Sequence, residues 1–419
     1  MLKRVKIQGY KSLHQVETNL QPLTVLFGPN AAGKSNFLDA LQLLSRLTTT
    51  RTLKEAFAPP YRGNPLESFA FDSQGIKGLL AKEKVSFSIE VDIELSPVVI
   101  ETINRQIQAM QQSQNLDNPV SEKCLRYQIE IEILPKSGIL RVADEYLAAI
   151  NEKGEFKHFI EQAEQVHSTH TDSNRYLDHS LLSKPLYPPH SPHVAAIQHE
   201  LASWLFFYFE PREHMRAKNP IKEVHHIGHK GEDLAAFLNT LRNLDERQFK
   251  GIEKALQMLI PSITGIDVKP NDSGEIELRL YEGSISMPAR VLSEGTLRVL
   301  GLLALGGVKE TATLIGFEEP ENGIHPRRIR LIAELLKNRA MLPNNQLIVT
   351  THSPILLNDI PEQFLYACRR KGGQTIIDSF SHWASLGRLE PQQDMNTICD
   401  EADNQPISER ILRGDFDVA

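Results

Sequence analysis

The sequence predicts an α/β protein with a mixed sheet core, an antiparallel β subdomain and an inserted helical and loop lid. Three observations carry this. An apolar run, "LTVLF" (23–27), meets a glycine-bearing turn and then a helical apolar pattern. Two more strand-like apolar runs, "TLIGF" (313–317) and "NNQLIVTT" (344–351), lie far along the chain. Between the first run and these two, "KVSFSIEVDIEL" (84–95) and "LRYQIEIEILP" (125–135) alternate apolar and polar residues, the period of antiparallel strands.

Length and composition set the frame. At 419 residues, two compact units are expected, and 41% hydrophobic with 24% charged residues is the balance of a soluble globular protein. A net charge of −7 argues against a uniformly basic nucleic-acid coat but not against a local basic patch. Cys124, Cys368 and Cys399 share no motif, which fits a reducing cytoplasm without a disulfide framework. The opening "MLKRVKIQGYKSL" lacks the character of a signal peptide, and no apolar stretch reaches the roughly 18 residues of a membrane span. In that opening, Val5 and Ile7 face opposite Lys6 and Gln8, a strand pattern. Tyr10 has two readings, an adenine-stacking ring or a half-buried strand-end tyrosine.

The turn after Phe27 reads Gly28-Pro29-Asn30-Ala31-Ala32-Gly33-Lys34-Ser35, followed by Asn36 and the helical spacing Phe37, Leu38, Leu41, Leu44. Glycines let backbone N–H groups turn inward around phosphates, Lys34 reaches the terminal phosphates, and the Ser35 hydroxyl binds magnesium. The helix N-terminus adds partial positive charge. Such a loop needs a carboxylate on a neighbouring strand for the metal. "GFEEPENGIHP" (316–326) supplies Glu318 at the strand end, and Glu319 stands where a base would activate water. Pro320 and Asn322-Gly323 favour a turn there.

Two further segments complete the pattern. Ser293-Glu294-Gly295-Thr296 opens a long apolar helix, a second anion-binding helix start. His352 follows the 344–351 run in "THSP", placed to contact a γ-phosphate and the attacking water.

In that order, the phosphate loop, LSEGT, the acidic pair and THSP resemble the P-loop NTPases known as ABC-type ATPase heads, in the RecF, SMC and overcoming-lysogenization-defect group. They are most similar to bacterial AAA-type ATPases that read GPN-x-x-GKS, LS-x-GT, EEPE-x-G-x-HP and THSP. The likeness covers roughly 1–50 and 285–360, with a weaker echo at "GEDLAAFLNTL" (231–241). It implies Gly28, Gly33, Lys34 and Ser35 as Walker A, and Glu318 as the Walker B acid in place of the commoner aspartate. It implies Glu319 as catalytic base, His352 as the switch histidine, and Ser293, Glu294 and Gly295 as a signature touching ATP on a partner protomer. ATP and Mg2+ follow as cofactors. A homodimer or higher homo-oligomer follows too, with ATP sandwiched between heads placed head-to-tail. Gln74, Gln128 and Gln198 stay open for the Q-loop glutamine. Glu321 and Asn322 are expected to shape a turn toward the partner head and to matter little for hydrolysis.

The expected organisation is an N-terminal part of the head (1–95), the lid (96–200), a C-terminal part carrying signature, Walker B and switch histidine (201–390), and an acidic tail (391–419). The long interval from Ser35 to Ser293 excludes a plain transporter subunit, and the helical stretch 98–119 is too short for a coiled-coil arm. Seven histidines between 158 and 199 (His158, His167, His170, His179, His190, His193, His199) fit an exposed or partner-binding loop or, with irregular spacing, a metal site. "WLFFYFEPREHMR" (204–216) should return the chain to the core, with Arg212 and Arg216 open to surface salt bridges, phosphate, nucleic acid or a partner. Residues 353–419 are too few for the TOPRIM nuclease that overcoming-lysogenization-defect proteins append, so any effector nuclease or toxin is expected on a separate polypeptide. An anti-phage defence ATPase is the leading expectation. A RecF-like DNA-repair ATPase that binds DNA and a nucleotide-gated scaffold with little turnover stand beside it.

Overall fold

The computed structural model describes residues 1–111, 119–162, 178–184, 188–305 and 312–380. Its centre is a six-stranded mixed sheet. In spatial order the strands are Gln374–Ser379, Leu365–Lys371, Leu23–Phe27, Gln346–Thr351, Leu314–Glu318 and Leu205–Phe207. The last five run parallel to one another, and Gln374–Ser379 pairs antiparallel at the edge. Parallel strands are covered on both faces, which is why these runs are apolar throughout rather than alternating. Leu26, Ile348 and Leu314 pack on one side with Leu38 and Leu41 of the helix Lys34–Thr49. Val25, Phe27, Val349, Ile315 and Phe317 pack on the other, with the helices Leu234–Leu244, Glu294–Ala304 and Pro326–Ala340.

The first of these two cores is closed by an antiparallel sheet in the order Leu13–Asn19, Leu2–Tyr10, Val85–Glu94, Cys124–Leu134, Ile139–Ile150 and Phe156–Gln162. The alternating runs at 84–95 and 125–135 are adjacent in it, with Ile89 opposite Ile129. Their isoleucines face the core while Asp92, Arg126, Glu90 and Arg4 form a charged ladder on the other face. The division expected at residue 95 therefore meets no sheet boundary. Residues 96–200 supply three further strands of this sheet besides the helices Pro97–Gln111 and Pro192–Ala202, because alternation, not helical spacing, rules 124–150. A smaller antiparallel sheet (Asn219–Pro220, Gly265–Pro270, Glu275–Glu282, Ile285–Pro288) packs in the second core and leads into the Ser293 helix.

The tail 391–419, with Cys399, lies outside the described residues, as do His167 and His170. Among the described residues, none of the other histidines of 158–199 belongs to a metal-capable group, and no helix is long and apolar enough to cross a membrane.

Gln346 ties the two large sheets together. Its side chain is buried, accepts from Leu2 N at 2.8 Å and donates to Leu2 O at 2.8 Å and Gln21 O at 3.1 Å. Gln346→Ala leaves these backbone groups without partners, so urea unfolding should show a loss of about 2 kcal/mol or more. A change below about 0.5 kcal/mol would show that the sheets are joined by other contacts.

Candidate functional site

The site gathers at the carboxyl ends of three adjacent parallel strands, where open α/β sheets present their binding crevices. Phe27 leads into the glycine loop, Glu318 ends the next strand but one, and Thr351 ends the strand between them.

The loop is held from outside. Gly33 takes φ 102° at the start of the helix, and a Cβ built there would lie 2.0 Å from Thr375 Oγ1. Only glycine fits. Thr375 Oγ1 donates to Ala32 O (2.9 Å) and lies 2.7 Å from Ser12 Oγ, which accepts from Asn36 Nδ2 at 2.8 Å. Arg370 reaches Ala31 O at 3.3 Å. Lys34 Nζ turns back on the loop, donating to Gly28 O (2.8 Å) and Pro29 O (2.9 Å). Burial pulls the Lys34 pKa down, against the nearby Glu319, Glu321 and Glu318 carboxylates, which favour its charged form.

Glu318 is 5% exposed. Burial pushes its carboxyl above the ordinary range, opposed by an ion pair with Arg62 and by contact with the Ser35 hydroxyl. Arg62 also pairs with the buried Asp39 at 3.1 Å, and Asp39 receives Lys11 Nζ at 2.8 Å. A chain of alternating charge thus runs from Lys11 through Asp39 and Arg62 to Glu318. Asp39 sits one helical turn after Ser35, so that spacing was available in the sequence. Arg62 comes from an irregular segment and carried no such signal.

Glu319 occupies the left-handed region, φ 46°, uncommon for a residue with a side chain. Its N–H donates to Thr350 O at 2.9 Å, and its Oε1 lies 3.1 Å from His352 Nδ1. Both side chains are partly exposed. Glu321, expected to shape a turn toward the partner head, lies in the turn after the strand and is buried, at 5% exposure. Its Oε1 accepts from the Thr351 hydroxyl, whose oxygen accepts Ser353 N–H at 2.9 Å. Burial raises the Glu321 pKa.

Ser293 caps the helix Glu294–Ala304, accepting Thr296 N–H at 3.1 Å. Glu294 pairs with Arg212, and Arg216 donates to Leu292 O at 2.8 Å, so both arginines brace this helix start within the chain. A Cβ on Gly295 would come 2.6 Å from Gly323 O, which packs the helix start against the turn after the acidic pair. Tyr10 is fully buried, 2.7 Å from Tyr61 Oη and edge-on to Phe87, which makes it a core residue. Gln128 bonds Asp144 across the antiparallel sheet, Gln198 bonds the Leu182 carbonyl, and Gln74 lies in the turn after Asp72. None of these bonds reaches the phosphate loop.

The donors that converge here are hard oxygens (the Ser35 hydroxyl and the Glu318 carboxylate) beside an inward-turned loop and a lysine, a set that fits a magnesium-bound nucleoside phosphate.

Comparison with known proteins gives a consistent picture. The family described as "AAA domain, putative AbiEii toxin, Type IV TA system" matches residues 107–358, more than half of the chain, and "AAA ATPase domain" matches residues 1–184. A curated relative, the DNA replication and repair protein RecF of Crocosphaera subtropica, is 40% identical over 55 residues; the match spans 14% of that protein's length. A crystal structure of an SMC head bound to the C-terminal winged-helix domain of ScpA superposes with a TM-score of 0.55 at 12% identity, covering 90% of this chain and 97% of that one. An SMC head with an extended coiled coil from Pyrococcus furiosus, bound to the C-terminal domain of ScpA, covers 92% and 98% at 11% identity, with a TM-score of 0.48. The fold is that of the SMC-type P-loop ATPase head.

The raised Glu321 pKa has a measurable sign. The folded chain holds that proton more tightly than the unfolded chain. The group's contribution is therefore most favourable below the ordinary value of 4.5 and is lost as pH rises through the raised one. Glu321→Gln removes the buried charge. Without nucleotide it should melt about 2–4 °C above wild type at pH 7, with the gap closing as pH falls toward the ordinary carboxylate range. Thermal melts across pH check this, and a wild type that outmelts the variant at pH 7 contradicts it.

Proposed function

The chain belongs to this AAA-domain family, and from that premise we propose that it is an ATP-binding and ATP-hydrolysing switch that closes head-to-tail with a second copy around ATP. One observation carries the reading. A glycine loop with its lysine and serine, a buried strand-end carboxylate and a Glu319–His352 pair stand together at the ends of three adjacent parallel strands.

Gly28, Pro29, Asn30, Ala31, Ala32, Gly33, Lys34, Ser35 and Asn36 cradle the phosphates. Ser35 and Glu318 hold the magnesium, which when bound neutralises phosphate charge. Arg62, which pairs with both Glu318 and Asp39, sets a positive charge beside the carboxylate that would hold the metal. Glu319 orients and deprotonates the attacking water, and His352, 3.1 Å away, fixes its carboxylate. Ser293, Glu294 and Gly295 present a helix N-terminus to the nucleotide of the second protomer. Binding two protomers at once is what turns nucleotide state into a change of assembly.

For the setting, the toxin–antitoxin wording of the matched family favours a cytoplasmic anti-phage defence system in which a separate nuclease or toxin acts as effector. The RecF match favours the second reading, a DNA-repair ATPase, and that reading requires ATP-dependent DNA binding with a marked salt slope.

Glu319→Gln should bind ATP as wild type does, cut turnover by about 10²-fold or more, and accumulate as ATP-bound dimers by light scattering. Equal turnover in the two proteins, with ATP still driving association, would establish the low-turnover scaffold instead.

A further inference from the structure

The strand ends that build the site have a fourth parallel neighbour. Strand Leu205–Phe207 pairs with Leu314–Glu318, and Phe207 stands opposite Phe317. Tyr208 follows Phe207 as Glu318 follows Phe317, so the two residues are level, about 5 Å apart across the sheet. Side chains alternate between the faces of a sheet, so they also share a face. The packing agrees. Phe207 and Phe317 belong to the second core, with ring centroids 6.1 Å apart. Phe206 and Leu38 belong to the first, and a Cβ built on Gly316 would lie 2.4 Å from Phe206 and 3.2 Å from Leu38. Gly316, Phe206, Glu318 and Tyr208 therefore face the helix Lys34–Thr49, which carries Ser35 and Asp39.

A direct contact puts the Tyr208 ring at the site independently of that register. The guanidinium carbon of Arg62 lies over this ring, 5.6 Å from its centroid, and the same guanidinium pairs with Glu318 and, at 3.1 Å, with Asp39. A guanidinium seated over a ring keeps its edge donors for carboxylates. The backbone holds the tyrosine in place: Tyr208 N–H donates to His229 O at 2.9 Å, and Glu210 N–H to Lys230 O at 3.0 Å. Tyr208 is half-buried, and its hydroxyl has no hydrogen-bond partner among the described residues. An aromatic body packed on a cation, with its polar tip uncommitted at the mouth of a crevice, is a donor available to a ligand.

We infer that Tyr208 is a further binding residue of the nucleotide site, and that its hydroxyl donates to the terminal phosphate of ATP. The position selects that phosphate. The metal bridges the two outer phosphates, so a group level with the carboxylate that holds the metal stands at the terminal end of the nucleotide. A phenol adds a hydrogen bond to a phosphate oxygen without adding charge to a site already served by Lys34 and Arg62. The inference rests on the ATP-switch reading above.

The test is equilibrium binding of magnesium-ATP and magnesium-ADP, at one protein concentration, to Tyr208→Phe in the Glu319→Gln parent. The substitution keeps the ring over Arg62 and removes only the donor. It should weaken ATP binding about tenfold, leave ADP binding within about twofold, and melt with the parent when no nucleotide is present. ATP affinity within about twofold of the parent's, or ATP and ADP weakened alike, overturns the inference while leaving the ATP switch standing. A parent that binds no ATP overturns the switch and the inference together, at an earlier step.

Discussion

A carboxylate at the end of a buried apolar strand is costly, and much of this molecule can be understood as the means of keeping Glu318 there. Strand Leu314–Glu318 is buried at every position. The charge at its end is tolerated because Ser35 and Arg62 meet it, and Arg62 is shared with Asp39, which in turn holds Lys11. Lys11 lies in the turn between the first two strands of the antiparallel sheet, and Asp39 lies on the helix behind the phosphate loop. One electrostatic requirement thus ties the N-terminal sheet, the loop helix and the central sheet to a single point.

The same requirement explains the division of labour among the acids. Glu318, with a cation and a hydroxyl against it, is suited to a metal. Glu319, one residue on, leaves the strand with a left-handed backbone that carries its side chain out to His352. Glu321 is turned inward and accepts the Thr351 hydroxyl. Three glutamates within four positions have three environments because the backbone changes direction between them.

Much of this was legible from the residues, for physical reasons. The glycine loop, Glu318, Glu319, Ser293 and His352 announce themselves because each belongs to a local strand-to-helix or strand-to-turn pattern. The alternating runs at 84–95 and 125–135 also read directly as strands. What stayed hidden was long-range. Arg62 meets Glu318 across more than 250 residues of chain, and Thr375 buttresses Ala32 across 343. No periodicity records such pairings. Within 96–200 the run at 125–135 reads as a strand, while Ile139–Ile150 and Phe156–Gln162 join the same sheet through pairings that local alternation does not announce. The sequence reads Glu321 only as shaping a turn toward the partner head; its burial against Thr351 comes from a strand that only the fold brings alongside.

In the proposed switch, each working site is built from two copies, one giving the phosphate loop and Glu319, the other Ser293. Mixing two separately inactive chains, Ser293→Arg and Glu319→Gln, tests it most directly. Their mixed dimer contains one site with every group intact. The mixture should hydrolyse ATP several-fold faster than the sum of the two proteins alone. A mixture no faster than that sum would contradict a shared site.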